Sequence, residues 1–275
     1  MSTRPSYALT LPPGAGADTP VAQLATFSLV TVPRTAPLHE VARVLEQAHV
    51  SGVGVTDDAG DVVGVVSTRD LLAAVELETR PDGQHPIRPT ARLAEEAMSR
   101  PVVAIDESRS ARDAARLMVD HRIQRLFVVR AGKAAGVLSA RDLLRIARDG
   151  RVQTPVGEVM TESVDTLDIG VPVRDAIARL AESNVHGLVV VDRRAPVGVF
   201  THTEAIRARK LPHELLGNPV ERVMSYEFVA VDVSTPLYRV AGQAIALGLR
   251  RVLVTENGVL CGIATGFDLV RHLAR

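Results

Sequence analysis

The sequence predicts an α+β fold of four βαββα repeats packed in two pairs, and three observations predict it. First, the pattern Gly-x-x-[Ser/Thr]-x-x-[Asp/Glu] occurs four times, as Gly64 to Asp70, Gly136 to Asp142, Gly198 to Glu204 and Gly262 to Asp268. Second, an apolar set at i, i+3, i+4, i+7 stands upstream of each copy: Leu38, Val41, Ala42, Leu45; Ala111, Ala114, Ala115, Met118; Val173, Ala176, Ile177, Leu180; Leu237, Val240, Ala241, Ala244. That spacing is one face of a helix. Third, the offset from the first stripe residue to the motif hydroxyl is 29, 28, 28 and 28 residues, too regular for unrelated helices.

Each unit opens on a β-prone run: Leu29 to Val32, Val102 to Ile105, Val164 to Leu167 and Phe228 to Val231. The striped helix follows, with Pro37, Pro172 and Pro236 suited to the first helical position by their fixed φ and missing N–H, and Ser110 in the same slot of the second copy. Two strands come next, separated by turns at Asp57 to Gly60, Arg130 to Lys133, Asp192 to Arg194 and Glu256 to Gly258. The motif then runs from an apolar strand through a turn into an apolar helix start, as in Val65-Val66 before and Leu71-Leu72 after. A unit of roughly sixty residues leaves a three-stranded sheet with one open apolar face, marginal by itself, so the repeats must pair.

The boundaries expected are a flexible tail at 1–18, repeats at 19–76, 91–149, 150–210 and 211–275, and a loop-like linker at 77–90 carrying Pro81, Gly83, Pro86 and Pro89. Lys plus Arg and Asp plus Glu balance at 32 each, so global charge favours neither nucleic acid nor an anionic membrane. The lone Cys261 forbids an intramolecular disulfide, and no apolar stretch reaches the length of a membrane span or forms a secretory leader. These features lead to the expectation of a cytoplasmic protein.

The four motif copies, with His121-Arg122-Ile123-Gln124-Arg125-Leu126-Phe127-Val128-Val129 and with Met98, Met160 and Met224 just ahead of three first strands, resemble the cystathionine-β-synthase (CBS) domain family over about residues 20 to 275. The resemblance implies repeats paired as Bateman modules around a pseudo-two-fold axis, in a layout similar to the γ subunit of AMP-activated protein kinase. It implies clefts that take adenosine derivatives: AMP, ADP, ATP or S-adenosylmethionine. The motif acid would receive the ribose hydroxyls, the Ser or Thr would meet ribose or phosphate, and the partner repeat's first strand would face adenine. On this chain that assigns Ser67, Arg69 and Asp70 with Met98 to Val102; Ser139, Arg141 and Asp142 with Thr26 to Leu29; Thr265 and Asp268 with Met160, Thr161 and Val164; and Thr201 and Glu204 with Met224 to Phe228, the copy that departs from pattern. His121 and Arg122 would contact phosphates. No cofactor is required; an adenine nucleotide would be the ligand, with or without Mg.

Each motif has a plainer reading. Ser/Thr-x-x-Asp/Glu before an apolar run is also a capping box, satisfying the orphan N–H groups of a helix start without any ligand. Cations at His121, Arg122 and Arg125 suit a solvated helix end. His202-x-Glu204 lacks the cysteines of a zinc deaminase, and Asp57 to Asp61 lacks the span and terminal Glu of a calcium loop. No nucleophile elbow or Walker loop is present, which points away from an enzyme. The leading expectation is a regulatory sensor, one four-repeat disc or a homodimer, acting in trans on an unidentified effector protein. The alternatives are an interaction scaffold with empty clefts or a binder of S-adenosylmethionine or another adenosine derivative, with a hydrolytic enzyme third.

Overall fold

The computed structural model describes residues 10–48, 50–77, 87–89, 92–183, 185, 187–208 and 212–275. Repeat 1 comprises β1 (Thr31–Pro33), α1 (Leu38–Gln47), β2 (Gly52–Thr56), β3 (Val62–Ser67) and α2 (Thr68–Ala73), followed by the short strands β4 (Val75–Leu77) and β5 (Ile87–Pro89). Repeat 2 comprises α3 (Ala94–Ala97), β6 (Ala104–Asp106), α4 (Ala111–Asp120), β7 (Arg125–Arg130), β8 (Lys133–Ser139) and α5 (Ala140–Asp149). Repeat 3 has β9 (Thr166–Asp168), α6 (Val173–Glu182), β10 (Gly187–Asp192), β11 (Ala195–Thr201) and α7 (His202–Ala208). Repeat 4 has β12 (Ala230–Asp232), α8 (Leu237–Ala246), β13 (Arg251–Glu256), β14 (Val259–Thr265) and α9 (Gly266–Ala274). In every repeat the first strand runs parallel to the second and the second antiparallel to the third.

The four stripes begin where the first long helix of each repeat begins, at Leu38, Ala111, Val173 and Leu237. Their buried residues, such as Val41 and Leu45 or Ala114 and Met118, are the ones the period selects. Proline stands one place earlier than expected, at the N-cap with extended ψ near 142° (Pro37 143, Pro172 142, Pro236 141), where its missing N–H costs the helix nothing. Ser110 caps α4 through a reciprocal exchange with Asp113. The first strands begin two residues later than the β-prone runs, because only their last residues pair with the second strand.

The chain divides into two compact units, residues 19–139 and residues 1–18 with 140–275. Within each, paired repeats exchange their lead-in turns, a feature absent from the sequence reading. The turn at Val21–Gln23 ahead of repeat 1 docks on repeat 2 through Val21 N–H to Arg109 O and Ala22 N–H to Glu107 O, each 2.8 Å. Helix α3 ahead of repeat 2 docks back on repeat 1 through Ala94 N–H to Ala36 O at 2.8 Å. Repeats 3 and 4 repeat the exchange through Val156 N–H to Thr235 O at 2.9 Å and Val220 N–H to Val171 O at 2.8 Å. Each exchange closes a core: Ala94 completes the cluster of Val32, Val41, Leu45, Val53, Val55 and Val66, and Val220 with Met224 completes that of Leu167, Leu180, Leu188, Val190 and Phe200. This is how a three-stranded unit, marginal by itself, hides its apolar face.

Two segments differ from expectation. Residues 1–9 lie outside the described residues, and within the rest of the expected flexible tail Leu11 is anchored: it is buried, and its N–H donates to Asp149 Oδ2 at 2.7 Å at the end of α5. A leucine followed by prolines and glycines carries no period that would announce this. In the expected linker, β4 pairs antiparallel with β5 (Val75 with Pro89, Leu77 with Ile87); strands of three residues are too short to show alternation. Residues 78–86 between them lie outside the described residues. No described helix is long and apolar enough to cross a membrane.

Candidate functional site

The motif glycine is fixed by a close approach. Gly64, Gly136, Gly198 and Gly262 pair with Val55, Val128, Val190 and Val254, and directly after that pair each sheet carries a bulge. The partner repeat's lead-in lies against this point. A Cβ on Gly262 would stand 2.2 Å from Met160 Sδ, on Gly64 2.2 Å from Met98 Sδ, and on Gly198 2.5 Å from Met224 Sδ. Repeat 1 lacks the methionine in its lead-in, and there Thr26 O and Phe27 cover Gly136 instead, with the carbonyl 2.6 Å from the Cβ position. The next lead-in residue always carries a hydroxyl, and it forms a bridge with the third strand of the partner: Thr26 with Val137, Ser99 with Val65, Thr161 with Ile263 and Ser225 with Val199.

In repeats 1, 3 and 4 the motif acid reaches back to the residue that opens its helix. Asp70 Oδ2 accepts from Ser67 N–H at 2.7 Å and from Ser67 Oγ–H at 2.6 Å; Asp268 Oδ2 accepts from Thr265 N–H at 2.7 Å and Oγ1–H at 2.6 Å. Glu204 Oε2 likewise takes Thr201 N–H at 3.0 Å and the Thr201 hydroxyl. The capping box is therefore real, and it occupies one carboxylate oxygen. The second oxygen faces the partner repeat: Asp70 Oδ1 accepts from Ser99 Oγ at 3.3 Å and Asp268 Oδ1 from Thr161 Oγ1 at 2.8 Å. Arg271 Nη2 also donates to Asp268 Oδ1, and to Thr161 Oγ1 at 2.9 Å. In repeat 3 the equivalent lead-in hydroxyl takes a local bond, Ser225 Oγ accepting from Glu227 N–H at 3.1 Å. Asp268 and Glu204 are buried.

Cations approach the same hydroxyls. The residues paired with Ser67, Ser139, Thr201 and Thr265 alternate as Gly52, Arg125, Gly187 and Arg251. Each arginine lies over the glycine of its partner repeat: Arg125 donates to Ser51 Oγ and has Nη1 3.5 Å from the Cβ position of Gly52, and Arg251 has Nη1 2.7 Å from that of Gly187. Burial, with repulsion from Arg250, pushes the Arg251 guanidinium below its ordinary pKa, and Glu204 opposes the shift. A cleft lined by Val159, Arg250, Arg251, Thr265 and Asp268 with Leu144, Leu237, Val240 and Leu269 opens where α5 and the lead-in of repeat 3 meet repeat 4.

Of the residues expected at the site, Ser67, Asp70, Thr161, Thr201, Glu204, Thr265 and Asp268 stand at these junctions, and Val102 and Val164 lie half-buried in the segments leading into β6 and β9. Thr26 and Ser139 belong to the unit of residues 19–139. Arg141 and the buried Asp142 belong to the other unit, where Arg141 Nη2 lies 3.5 Å from the Cβ position of Gly248. The side chain of Arg69 lies outside the described residues. His121 and Arg122 are exposed at the C-terminal end of α4, with Arg122 in the left-handed region at φ 53°, while Arg125 is the cation paired with Ser139. The sequence reading reached Ser99 only within the run Met98 to Val102 and Arg125 only beside His121 and Arg122 at a helix end, and it passed over Arg271; aligning the residue after each lead-in methionine, and the residue opposite each motif hydroxyl, singles out the first two. Burial pushes the Cys261 thiol pKa up, away from thiolate chemistry. Among the described residues no group of three or more His, Cys, Asp and Glu could hold a metal ion.

Protein MJ1225 of Methanocaldococcus jannaschii, a protein without assigned function, is 27% identical over 206 residues, 66% of this chain and 71% of that one. Its crystal structure, described as that of a candidate archaeal homologue of γ-AMPK, superposes with a TM-score of 0.70 at 17% identity, over 93% of this chain and all of that one. A conserved protein of Pyrococcus horikoshii gives 0.68 at 21% identity with the same coverage. The family model described as CBS domain matches residues 21–77, 94–149, 156–211 and 220–275, so the chain belongs to the CBS domain family, with four copies paired as two Bateman modules.

Proposed function

We propose that the protein is a non-enzymatic sensor whose clefts between paired repeats bind adenosine nucleotides and which acts in trans on an effector protein. One observation carries this reading: Asp70 and Asp268 each spend one oxygen on their own helix cap and aim the other at a hydroxyl of the partner repeat. A carboxylate held at a helix start with its second oxygen toward the cleft is placed to accept two vicinal hydroxyls side by side. Positive helix ends and the arginines beside the motif hydroxyls supply the charge for phosphates. Binding that favours one arrangement of the repeats would carry the signal.

The completed capping boxes favour a second reading, an interaction scaffold with empty clefts, because the motif satisfies itself without a ligand. Thermal unfolding with AMP, ADP, ATP and S-adenosylmethionine separates the two. A ligand at about a hundred times its Kd adds roughly 2.7 kcal/mol. Stabilisation by the nucleotides, abolished by Asp70→Ala with Asp268→Ala and retained in Glu204→Ala, supports the sensor; no shift with any compound supports the scaffold.

A further inference from the structure

The carboxylates of repeats 1 and 4 differ in a way the motif does not show. Asp268 Oδ1 is held by the guanidinium of Arg271, one turn along α9, which also donates to Thr161 of the paired repeat at 2.9 Å. The Asp268 side chain is 2% exposed and that of Arg271 49%. The cation is thus anchored on a buried acid, Asp268, that also lines the cleft, while itself remaining half-exposed. The corresponding position after Asp70 is Ala73, which carries no guanidinium, and Asp70 Oδ1 meets the Ser99 hydroxyl at 3.3 Å.

We infer that Arg271 is a built-in counter-ligand that sets the ligand class of the repeat 4 cleft, making it select anionic over neutral adenosine derivatives. The inference rests on the sensor reading. A ribose diol must take Asp268 Oδ1 and so expel the guanidinium. A neutral nucleoside then replaces a charge-assisted hydrogen bond by a weaker one and leaves the buried carboxylate without its cation. A phosphorylated ligand gives the displaced Arg271 a new anionic partner within the reach of one side chain, and the exchange is close to balanced. The repeat 1 cleft, without this residue, discriminates less.

The test is calorimetric titration of the full chain with adenosine and with AMP, in wild type, Arg271→Ala and Arg271→Lys, with Asp268→Asn marking the heat that belongs to repeat 4 and Asp70→Asn that of repeat 1. Arg271→Ala is expected to tighten adenosine several-fold at repeat 4 and to reduce the preference for AMP over adenosine by roughly tenfold. Arg271→Lys, which keeps the charge, should retain part of that preference, and repeat 1 should be unaffected. An unchanged preference in Arg271→Ala, or equal weakening of both compounds, overturns the inference while the sensor reading stands. No binding of either compound to any of these proteins overturns both.

Discussion

Substituting Gly262 by alanine should loosen the pairing of repeats 3 and 4 without touching a polar group. The new Cβ would stand 2.2 Å from Met160 Sδ, 2.9 Å from its Cγ and 3.1 Å from its Cε, against an ordinary contact of about 3.5–4 Å. Met160 must withdraw, and overpacking of this kind costs about 1–3 kcal/mol, a fall in Tm of about 2–4 °C per kcal/mol for domains of this size. Methionine is flexible, so the strain has an exit. Gly136→Ala should cost more, because there the obstacle is the Thr26 carbonyl at 2.6 Å, a backbone group tied to Val137 by hydrogen bonds of 2.9 and 3.0 Å. Urea unfolding of the single and double variants decides the matter. Met160→Ala should rescue Gly262→Ala with a coupling of about 1 kcal/mol or more, and Phe27→Ala should fail to rescue Gly136→Ala. Wild-type stability for Gly262→Ala, or strict additivity with Met160→Ala, would refute the claim that the motif glycine exists to admit the partner repeat.

Two further outcomes follow from backbone and charge. Arg193 and Arg194 both adopt positive φ (47° and 72°) in the turn between β10 and β11, where Asn257-Gly258 serves repeat 4, so Arg193→Asn with Arg194→Gly should stabilise by about 1 kcal/mol in thermal unfolding. Burial alone would raise the Asp149 pKa, but the bonds from Arg148 and the Leu11 N–H hold it below the usual carboxylate value. Its stabilisation is therefore complete above the unfolded pKa of about 3.9 and is lost as pH falls through the lower folded value. Hydrogen exchange at the Leu11 amide should accelerate, relative to its intrinsic rate, in Asp149→Ala at neutral pH and in wild type only in strong acid.

The helices and sheets were legible because their signals are periodic and repeated: the stripe from Leu38 to Leu45 recurs three times at a fixed distance from a hydroxyl. The motif hydroxyls and acids were legible for the same reason. What stayed hidden depends on contacts between segments distant in sequence. Nothing local to Val21 or Ala94 says that each docks on the neighbouring repeat, and Leu11 stands in a run of prolines, glycines and alanines without a period. The placement of the cations in repeat 2 shows the same limit. His121 and Arg122 stand out as a basic pair in the sequence, yet they lie at the exposed end of a helix, whereas Arg125, three residues later, opens a strand opposite Ser139 and reaches Ser51. A shift of three residues moves a side chain from a helix end to a strand start, and composition does not register it.

Cap and ligand group are compatible roles for one carboxylate, since a carboxylate offers about four lone-pair positions and the box at Thr265 fills those of one oxygen. Asp268→Asn separates the roles. An amide oxygen turned toward Thr265 still accepts the N-cap N–H, so the helix start keeps its principal bond and should lose less than the roughly 1 kcal/mol typical of a deleted cap. The amide nitrogen then replaces Oδ1, presenting donors where Thr161 and Arg271 also donate. A diol would then have to accept from a neutral amide instead of donating to a carboxylate, which is the weaker bond, and the charge that holds Arg271 is gone. The expected result is near wild-type unfolding with loss of AMP binding at repeat 4. An Asp268→Asn protein that binds AMP as tightly as wild type at that cleft would show that the acid serves its helix alone.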